Sequence, residues 1–347
     1  MTNIELIDKL KIQNNLEFTE WQQLLGTFTE EDAEYAAGVA REIAVSKFGN
    51  KVFFRGIIEF TNYCKNDCYY CGIRCSNKNA VRYRLSKEDI LLCCEEGYKH
   101  GYRTFVLQGG EDNHYTDDMM VDIVSEIHTR FPDCAITLSI GEKEKDSYDR
   151  FFEAGATRYL LRHETANENH YKKIHPKKMS LENRINCLKN LKEIGYQTGC
   201  GCMVGTPHQR ISDLCEDMMF MSEFKPEMIG IGPFIPHKDT PFRDLEPGSV
   251  EMTLFLLSLC RIMLPNVLLP ATTALGTIRG DGRKLGVLCG ANVIMPNLSP
   301  IAVRKNYLLY DNKAISGEDA GENLKVLQEH MSEIGYEIVI DRGEYIK

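Results

Sequence analysis

Three cysteines fall within eight residues, Cys64-Lys65-Asn66-Asp67-Cys68-Tyr69-Tyr70-Cys71, a C-x3-C-x2-C spacing with an aromatic residue before the last cysteine. They follow an apolar run, Ile57-Ile58-Glu59-Phe60. Three thiolates on one short loop can hold three irons of a 4Fe–4S cube and leave the fourth iron open. An open iron can bind a substrate or cofactor, so such a cluster can do chemistry as well as carry electrons. Two other readings use the same residues. A structural zinc site wants four ligands, usually from two separated cysteine pairs, and no second pair is visible. Cys75 as a fourth ligand would close the cluster into a ferredoxin-like carrier, but the bacterial ferredoxin run is C-x2-C-x2-C-x3-C, and the first gap here is one residue too long.

The elements that must carry this loop are legible from periodicity. Residues 1–50 read as helical and polar. Thr29-Glu30-Glu31-Asp32 reads as an N-cap followed by an acidic first turn, opening a helix through Ala36 to about Ser46. Beyond it, short β-branched runs alternate with amphipathic stretches. The expected strands are Val52–Glu59, Thr104–Gln108, Ala135–Ser139, Arg158–Arg162, Gln197–Val204, Met228–Ile231, Val267–Pro270 and Asn292–Met295. The expected helices include Lys87–His100, Asp117–Arg130, Ser147–Glu153, Leu181–Ile194, Ile211–Glu223 and Val250–Met263. Strands alternating with helices in this number predict an α/β fold, a parallel (βα)8 TIM-type barrel with an N-terminal helical extension. A doubly wound open sheet shows the same alternation but gives no reason for a cysteine triad after the first strand. The expected division is an extension over 1–50, a barrel over 51–310, and a helix and short strand over about 317–341 that close the barrel as part of the same unit.

The chain has 347 residues, is 43% hydrophobic and carries a formal net charge of −9. That is enough for one large core. No lysine or arginine block stands out, which argues against a nucleic-acid partner. No apolar run approaches a membrane span. The N-terminus, Met1-Thr2-Asn3-Ile4-Glu5, lacks the basic-then-apolar pattern of a signal peptide. Thirteen cysteines in such a chain point to a reducing cytoplasm rather than to disulfides. Those outside the triad, as in Leu91-Leu92-Cys93-Cys94, read mostly as small core residues.

In TIM-type barrels the chemistry sits at the C-terminal ends of the strands, and polar clusters fall there. Gln108-Gly109-Gly110-Glu111-Asp112 follows strand two, and Thr137-Leu138-Ser139-Ile140-Gly141-Glu142 lies at the end of strand three. Arg162-His163-Glu164-Thr165-Ala166-Asn167 follows strand four, Gly230–His237 follows strand six, and Ala271-Thr272-Thr273-Ala274-Leu275-Gly276 follows strand seven. Several strings have plainer readings. Gly109-Gly110 is equally well a simple turn. His163-Glu164 is not an H-E-x-x-H zinc helix, because position 167 is Asn. Gly199-Cys200-Gly201 fails the dinucleotide-binding spacing and reads as the end of a buried strand. Arg184 by default sits on a solvated helix face; a planar bidentate donor also suits a carboxylate ligand.

These strings together resemble the HydE family, the radical S-adenosylmethionine (SAM) maturases of iron-only (FeFe) hydrogenases. The resemblance runs from about residue 50 to residue 310. It rests on Arg55-Gly56-Ile57-Ile58-Glu59-Phe60, Cys64–Gly72, Val106-Leu107-Gln108, Arg158–Asn167, Glu182–Leu188, Gly230–His237, Pro270–Thr277 and Cys289–Asn297. Biotin synthase and methylornithine synthase share the architecture and are the nearest alternatives; a non-catalytic iron–sulfur carrier is the alternative of another class. The resemblance implies that Cys64, Cys68 and Cys71 ligate a 4Fe–4S cluster whose open iron chelates SAM, and that Tyr70 contacts the adenine. It implies that Ser139, Glu164 and Arg184 hold the ribose, amino and carboxylate parts of SAM. Gln108, Thr137, Arg162, Thr272, Thr273 and Tyr307 would line an inner cavity for an anionic substrate, thought in the family to be a cysteine-bound iron carbonyl cyanide made by a partner maturase. Other hydrogenase maturation proteins and a reductant such as ferredoxin or flavodoxin are the further partners implied. Some members carry three more cysteines near the C-terminus for an accessory cluster. Asp311–Asn323 contains none here, so the expected cluster count is one.

Overall fold

The computed structural model describes residues 1–313 and 320–346. Three helices come first, α1 (Asn3–Gln13), α2 (Phe18–Thr27) and α3 (Glu30–Phe48). The α3 cap forms as expected: Thr29 Oγ1 accepts from Asp32 N, and Thr29 N donates to the Asp32 carboxylate at 2.9 Å. Then follow β1 (Lys51–Phe54), β2 (Gly56–Thr61), α4 (Lys87–Lys99), β3 (Thr104–Gly109), α5 (Asp117–Arg130), β4 (Ala135–Ser139), α6 (Lys145–Glu153), β5 (Arg158–Leu160), α7 (Glu168–Ile174), α8 (Leu181–Ile194) and β6 (Gln197–Cys200). The second half runs β7 (Met203–Val204), α9 (Ile211–Phe224), β8 (Met228–Ile229), β9 (Gly232–Pro233), α10 (Val250–Met263), α11 (Thr273–Ile278), α12 (Gly282–Leu288), β10 (Val293–Ile294), α13 (Ile301–Arg304), α14 (Ala320–Ser332) and β11 (Glu337–Val339).

Six strands form one parallel sheet in the order β2-β3-β4-β5-β6-β8. Parallel backbone pairs carry it onward: Met228 to Leu268, Pro270 to Val293, and Ile57 to Asn297. The last pair returns to β2, where Leu298 N donates to Ile57 O at 2.7 Å. The ring therefore closes through eight parallel positions, which leaves no edge strand among them. The expected first strand is split at Arg55. Before it, β1 pairs with β10 and β11; after it, β2 pairs with β3. The expected fifth strand breaks in the same way after Cys200, where β7 leaves the ring to pair with β9. Thr272 and Thr273, expected at a strand end, instead open α11.

The core follows the amphipathic pattern. Val52, Phe54, Ile58, Leu107, Ile136, Leu138, Leu188, Leu259 and Met263 are all buried in one large apolar cluster, and the N-terminal helices join it through Leu6, Trp21, Leu24 and Ala36. Helix α3 lies against α10, and α2 against α9. The expected closing segment over 317–341 begins outside the described residues; from Ala320 it is a helix followed by the short strand β11, which pairs with β1 in parallel.

Candidate active site

The triad loop has no regular secondary structure between β2 and α4 and is held by side chains. Asp67 accepts from Arg74 Nε at 2.7 Å and Nη2 at 2.6 Å, and from Ser76 Oγ at 2.7 Å. The Arg74 hydrogen bonds hold the Asp67 carboxyl well below the usual carboxylate range. Arg82 donates to the carbonyls of Asn62, Ile73, Arg74 and Asn77. Backbone bonds tie Lys65 N to Glu111 O, Tyr69 N to Ile174 O and Gly72 N to Leu309 O. Two glycines permit this approach. A Cβ on Gly110 would lie 2.2 Å from Tyr63 O and 2.7 Å from Cys64 Cβ, and one on Gly72 would lie 2.2 Å from Leu308 O. Gly110 is thus more than a turn residue.

Cys64, Cys68 and Cys71 face one cavity of about 340 Å³ at the C-terminal ends of the barrel strands. None is in a disulfide. Burial pushes all three thiols up, Cys71 to about 12. The only three His, Cys, Asp or Glu ligand atoms within 4.8 Å of one another among the described residues belong to His163, Cys202 and Asp217. Cys75 is exposed and off the cavity wall.

The cavity wall also carries Tyr70, Gln108, Ser139, Arg162, Glu164, Arg184, Thr272, Thr273 and Tyr307. Tyr70 O–H lies 3.1 Å from His175 Nε2, while His175 Nδ1 lies 3.1 Å from Tyr171 O. A carbonyl only accepts, so Nδ1 carries the proton and Nε2 accepts from Tyr70. Burial, then the Arg184 charge, hold the His175 imidazole down to about 3, which keeps it neutral. Arg184 is buried, not solvated: Nε donates to Glu142 Oε1 at 2.6 Å and Nη1 to Arg162 O at 2.9 Å. Glu164 has a left-handed backbone, φ 67°. That conformation is costly for a residue with a Cβ and persists where its surroundings hold it. Here Glu164 N donates to Gly201 O, and Met203 N donates to Glu164 O. Next to it, the buried His163 accepts from Gly201 N through Nδ1, and its Nε2 lies 3.2 Å from Asp217 Oδ1, which also takes Ala166 N.

A buried polar atom without a hydrogen bond needs an explanation, and a bound ligand or water is one. Four lie on candidate site residues: Arg162 Nε, Glu164 Oε2, Thr137 Oγ1 and Thr272 Oγ1. Glu164 Oε2 keeps an ion-pair distance of 3.2 Å to Arg162 Nη2 without an aligned hydrogen bond. Thr272 holds the N-cap position of α11, yet its hydroxyl caps nothing. Thr137 corrects one expectation, because it does not reach the cavity wall. It stands two residues before Ser139 on the same strand, hence on the same face but one layer deeper in the barrel.

Sequence reading missed Glu59, Lys313 and Asn297. Glu59 is buried on the cavity wall, ion-paired with Lys313, and accepts from Asn297 Nδ2 at 2.7 Å. A carboxylate inside an apolar strand was the available signal; nothing in the sequence tied Lys313 to it. Met179, whose Sδ lies 3.7 Å from Cys68 Sγ, was missed as well.

Residues 58–221 match the Radical SAM superfamily. The chain is 46% identical over 315 residues to the [FeFe] hydrogenase maturase subunit HydE of Thermotoga maritima, covering 90% of this chain and 89% of that protein. It is 30% identical to the 3-methylornithine synthase of Methanosarcina acetivorans, over 82% and 81% of the two chains. Among solved structures, methylornithine synthase (PylB) superposes with a TM-score of 0.85 at 27% identity, over 96% of this chain and 97% of that one. HydG, a maturase of the [FeFe]-hydrogenase, superposes with a TM-score of 0.79 at 20% identity, over 96% and 75%, a likeness of fold. With a closed (βα)8 barrel, a C-x3-C-x2-C loop at its mouth and the higher identity lying with HydE, the chain belongs to the HydE family of radical SAM maturases of FeFe-hydrogenases.

Proposed function

We propose that this enzyme holds one 4Fe–4S cluster on Cys64, Cys68 and Cys71, binds SAM beside it, and delivers a radical to an anionic, thiol-linked iron complex deeper in the barrel during assembly of the hydrogenase diiron subcluster. The donor set fits: three thiols free of disulfides line one cavity from a single loop, and Asn66 N donates to Cys64 Sγ at 3.4 Å. When bound, the cluster supplies the electron that cleaves the SAM sulfonium to methionine and a 5′-deoxyadenosyl radical.

The chain's own residues position and protect. Arg184 presents a guanidinium already fixed by Glu142 and Arg162 O, suited to a carboxylate. Glu164 offers an acceptor to an ammonium group, Ser139 a hydroxyl to the ribose, and Tyr70, locked by His175, an aromatic edge beside the triad. Deeper, Arg162, Gln108, Thr272, Thr273 and Tyr307 offer donors to an anion. The carrying observation is that Arg162 Nε and Thr272 Oγ1 are buried donors without partners on one cavity wall. Each costs about 1–3 kcal/mol unless a ligand or water takes it. The closed wall limits solvent, which a primary radical requires.

The companion maturase that supplies the iron complex is the partner this reading requires, and the cytoplasm is its compartment. No helix among the described residues is long and apolar enough to cross a membrane. The test is anaerobic reconstitution with iron and sulfide, then SAM and dithionite, with 5′-deoxyadenosine measured by chromatography and hydrogenase activation measured with the companion maturases. SAM cleavage without hydrogenase activation would favour an amino-acid substrate instead, the reading favoured by the 30% identity to 3-methylornithine synthase.

A further inference from the structure

The chain is acidic overall, with a net charge of −9, yet the segment lying over the cysteine loop is basic. Lys172, Lys173, Lys177 and Lys178 fall within seven residues and all are exposed. Their spacing around Ile174-His175-Pro176 hides them as a block in the sequence. Three contacts place the segment on the triad loop. Tyr69 N donates to Ile174 O at 3.0 Å, Lys178 Nζ donates to Lys65 O at 2.6 Å, and Met179 Sδ lies 3.7 Å from Cys68 Sγ. Lys65 itself is exposed on the loop.

The local carboxylates do not cancel this charge. Glu168 pairs with Lys172 at 2.6 Å, Glu111 pairs with Lys65 at 3.2 Å, and Asp67 is taken by Arg74. Among the described residues no carboxylate pairs with Lys173, Lys177 or Lys178. Lys178 is spent on the Lys65 carbonyl and Lys173 lies in the last turn of α7, where a cation suits the helix C-terminus, yet none of these charges is neutralised by a carboxylate among the described residues. The arrangement does serve encounter, because a local patch of sign opposite to the whole molecule orients an acidic partner on that face alone.

Resting on the radical SAM reading above, we propose that this lysine rim is the docking surface for an acidic, low-potential one-electron carrier protein. One electron leaves the carrier, which is oxidised by one unit, and passes at the Met179–Cys68 contact to the cluster on the triad, which is reduced by one unit. No proton or group moves with it.

The holoenzyme provides the test, driven either by dithionite or by a reduced acidic ferredoxin, with 5′-deoxyadenosine as the activity readout and the ferredoxin dissociation constant, measured by titration and expected to rise about 10-fold or more in the variant below, as the binding readout. The double variant Lys173→Glu/Lys177→Glu leaves the Lys178–Lys65 contact in place. Its ferredoxin-driven rate should fall about 10-fold or more at low ionic strength, while its dithionite-driven rate stays at the level of the unaltered enzyme. In the unaltered enzyme, raising salt from about 20 to about 300 mM should slow the ferredoxin-driven reaction and spare the dithionite-driven one. Equal ferredoxin-driven rates in variant and parent, or a ferredoxin-driven rate insensitive to salt, would overturn the docking proposal alone. Equal losses with both reductants would also overturn it, by placing the lysines in cluster or SAM retention. Failure of the parent enzyme to cleave SAM with dithionite would remove the radical SAM reading and the proposal with it.

Discussion

Thr272 stands where a helix normally uses a threonine hydroxyl as its cap, and the hydroxyl is instead buried on the cavity wall without a partner. Capping would recover about 1 kcal/mol; under the proposed function the hydroxyl is kept for the substrate instead. Thr272→Val keeps the volume and removes only the hydroxyl. We expect it to leave folding, SAM binding and uncoupled 5′-deoxyadenosine formation near the unaltered level and to lower hydrogenase activation at least severalfold; normal activation would remove Thr272 from the substrate site. Arg184 gives a second test at this scale. Two of its nitrogens are spent on Glu142 and the Arg162 carbonyl, so the geometry of the rest is set. A lysine can keep the charge but not the fork. Arg184→Lys should weaken SAM binding by about 1.5–3 kcal/mol, read by equilibrium titration of the reconstituted protein. Unchanged affinity would reduce Arg184 to the ion-pair partner of Glu142.

At the scale of elements, the loop between β2 and α4 must present three thiols without a helix or strand to hold it. Asp67 lies within the triad and Arg74 just beyond it, so their bidentate pair fastens the loop across the cysteines. Asp67→Ala leaves Arg74, which is largely buried, and the Ser76 amide without their acceptor. Loop opening should become easier by about 1.5–3 kcal/mol. Hydrogen exchange of the loop amides in the metal-free protein should rise accordingly, and iron should be lost faster to a chelator. Asp67→Asn, which keeps an acceptor, should lie in between. Exchange in Asp67→Ala equal to the parent's would show that Arg82 and the backbone bonds suffice. None of these fastenings was legible in the sequence, because they join residues through a loop without periodicity. What was legible had periodicity or punctuation. The long helices α5, α8 and α10 run over the expected residues, and each of the eight expected strands gives at least part of its length to the barrel ring. The short helices α7, α11 and α12 span two turns or fewer, too short for a 3.6-residue repeat to register. Thr137 shows the same limit for the site: strand alternation gives its face, but only barrel closure gives its depth.

On the scale of the whole molecule, the two ends of the barrel are built oppositely. The end bearing the triad holds the site cavity; the other is closed by the chain's own tail. After β11, Arg342 O accepts from Thr104 Oγ1 and Arg158 Nη1, both at 2.9 Å, and Gly343 O accepts from Arg55 at 3.4 Å. Arg55, Thr104 and Arg158 stand at the N-terminal ends of their strands, so the tail crosses the barrel floor. Two guanidiniums are buried there, and burial draws both down from their ordinary range, with the Arg158 charge adding to the effect at Arg55. Glu344 supplies the carboxylate, 3.1 Å from Arg158 Nη2 and bonded to Gln197. Burial pushes the Glu344 carboxyl up, but Arg158 and Gln197 outweigh it and leave it below its ordinary range. A group depressed in the folded state adds stability above its unfolded pKa and loses it as pH falls through the folded one. The Glu344 contribution should therefore be complete at neutral pH and fade below about pH 4.5. Glu344→Gln should lower stability at pH 7 by about 1–3 kcal/mol, discounted from a fully buried pair because Glu344 is half exposed. Thermal unfolding of the two proteins should differ by a few degrees at pH 7 and converge as pH falls below about 4. A gap that persists unchanged into acid would mean that Glu344 acts through packing, and that the floor arginines are neutralised by the Arg342 and Gly343 carbonyls alone.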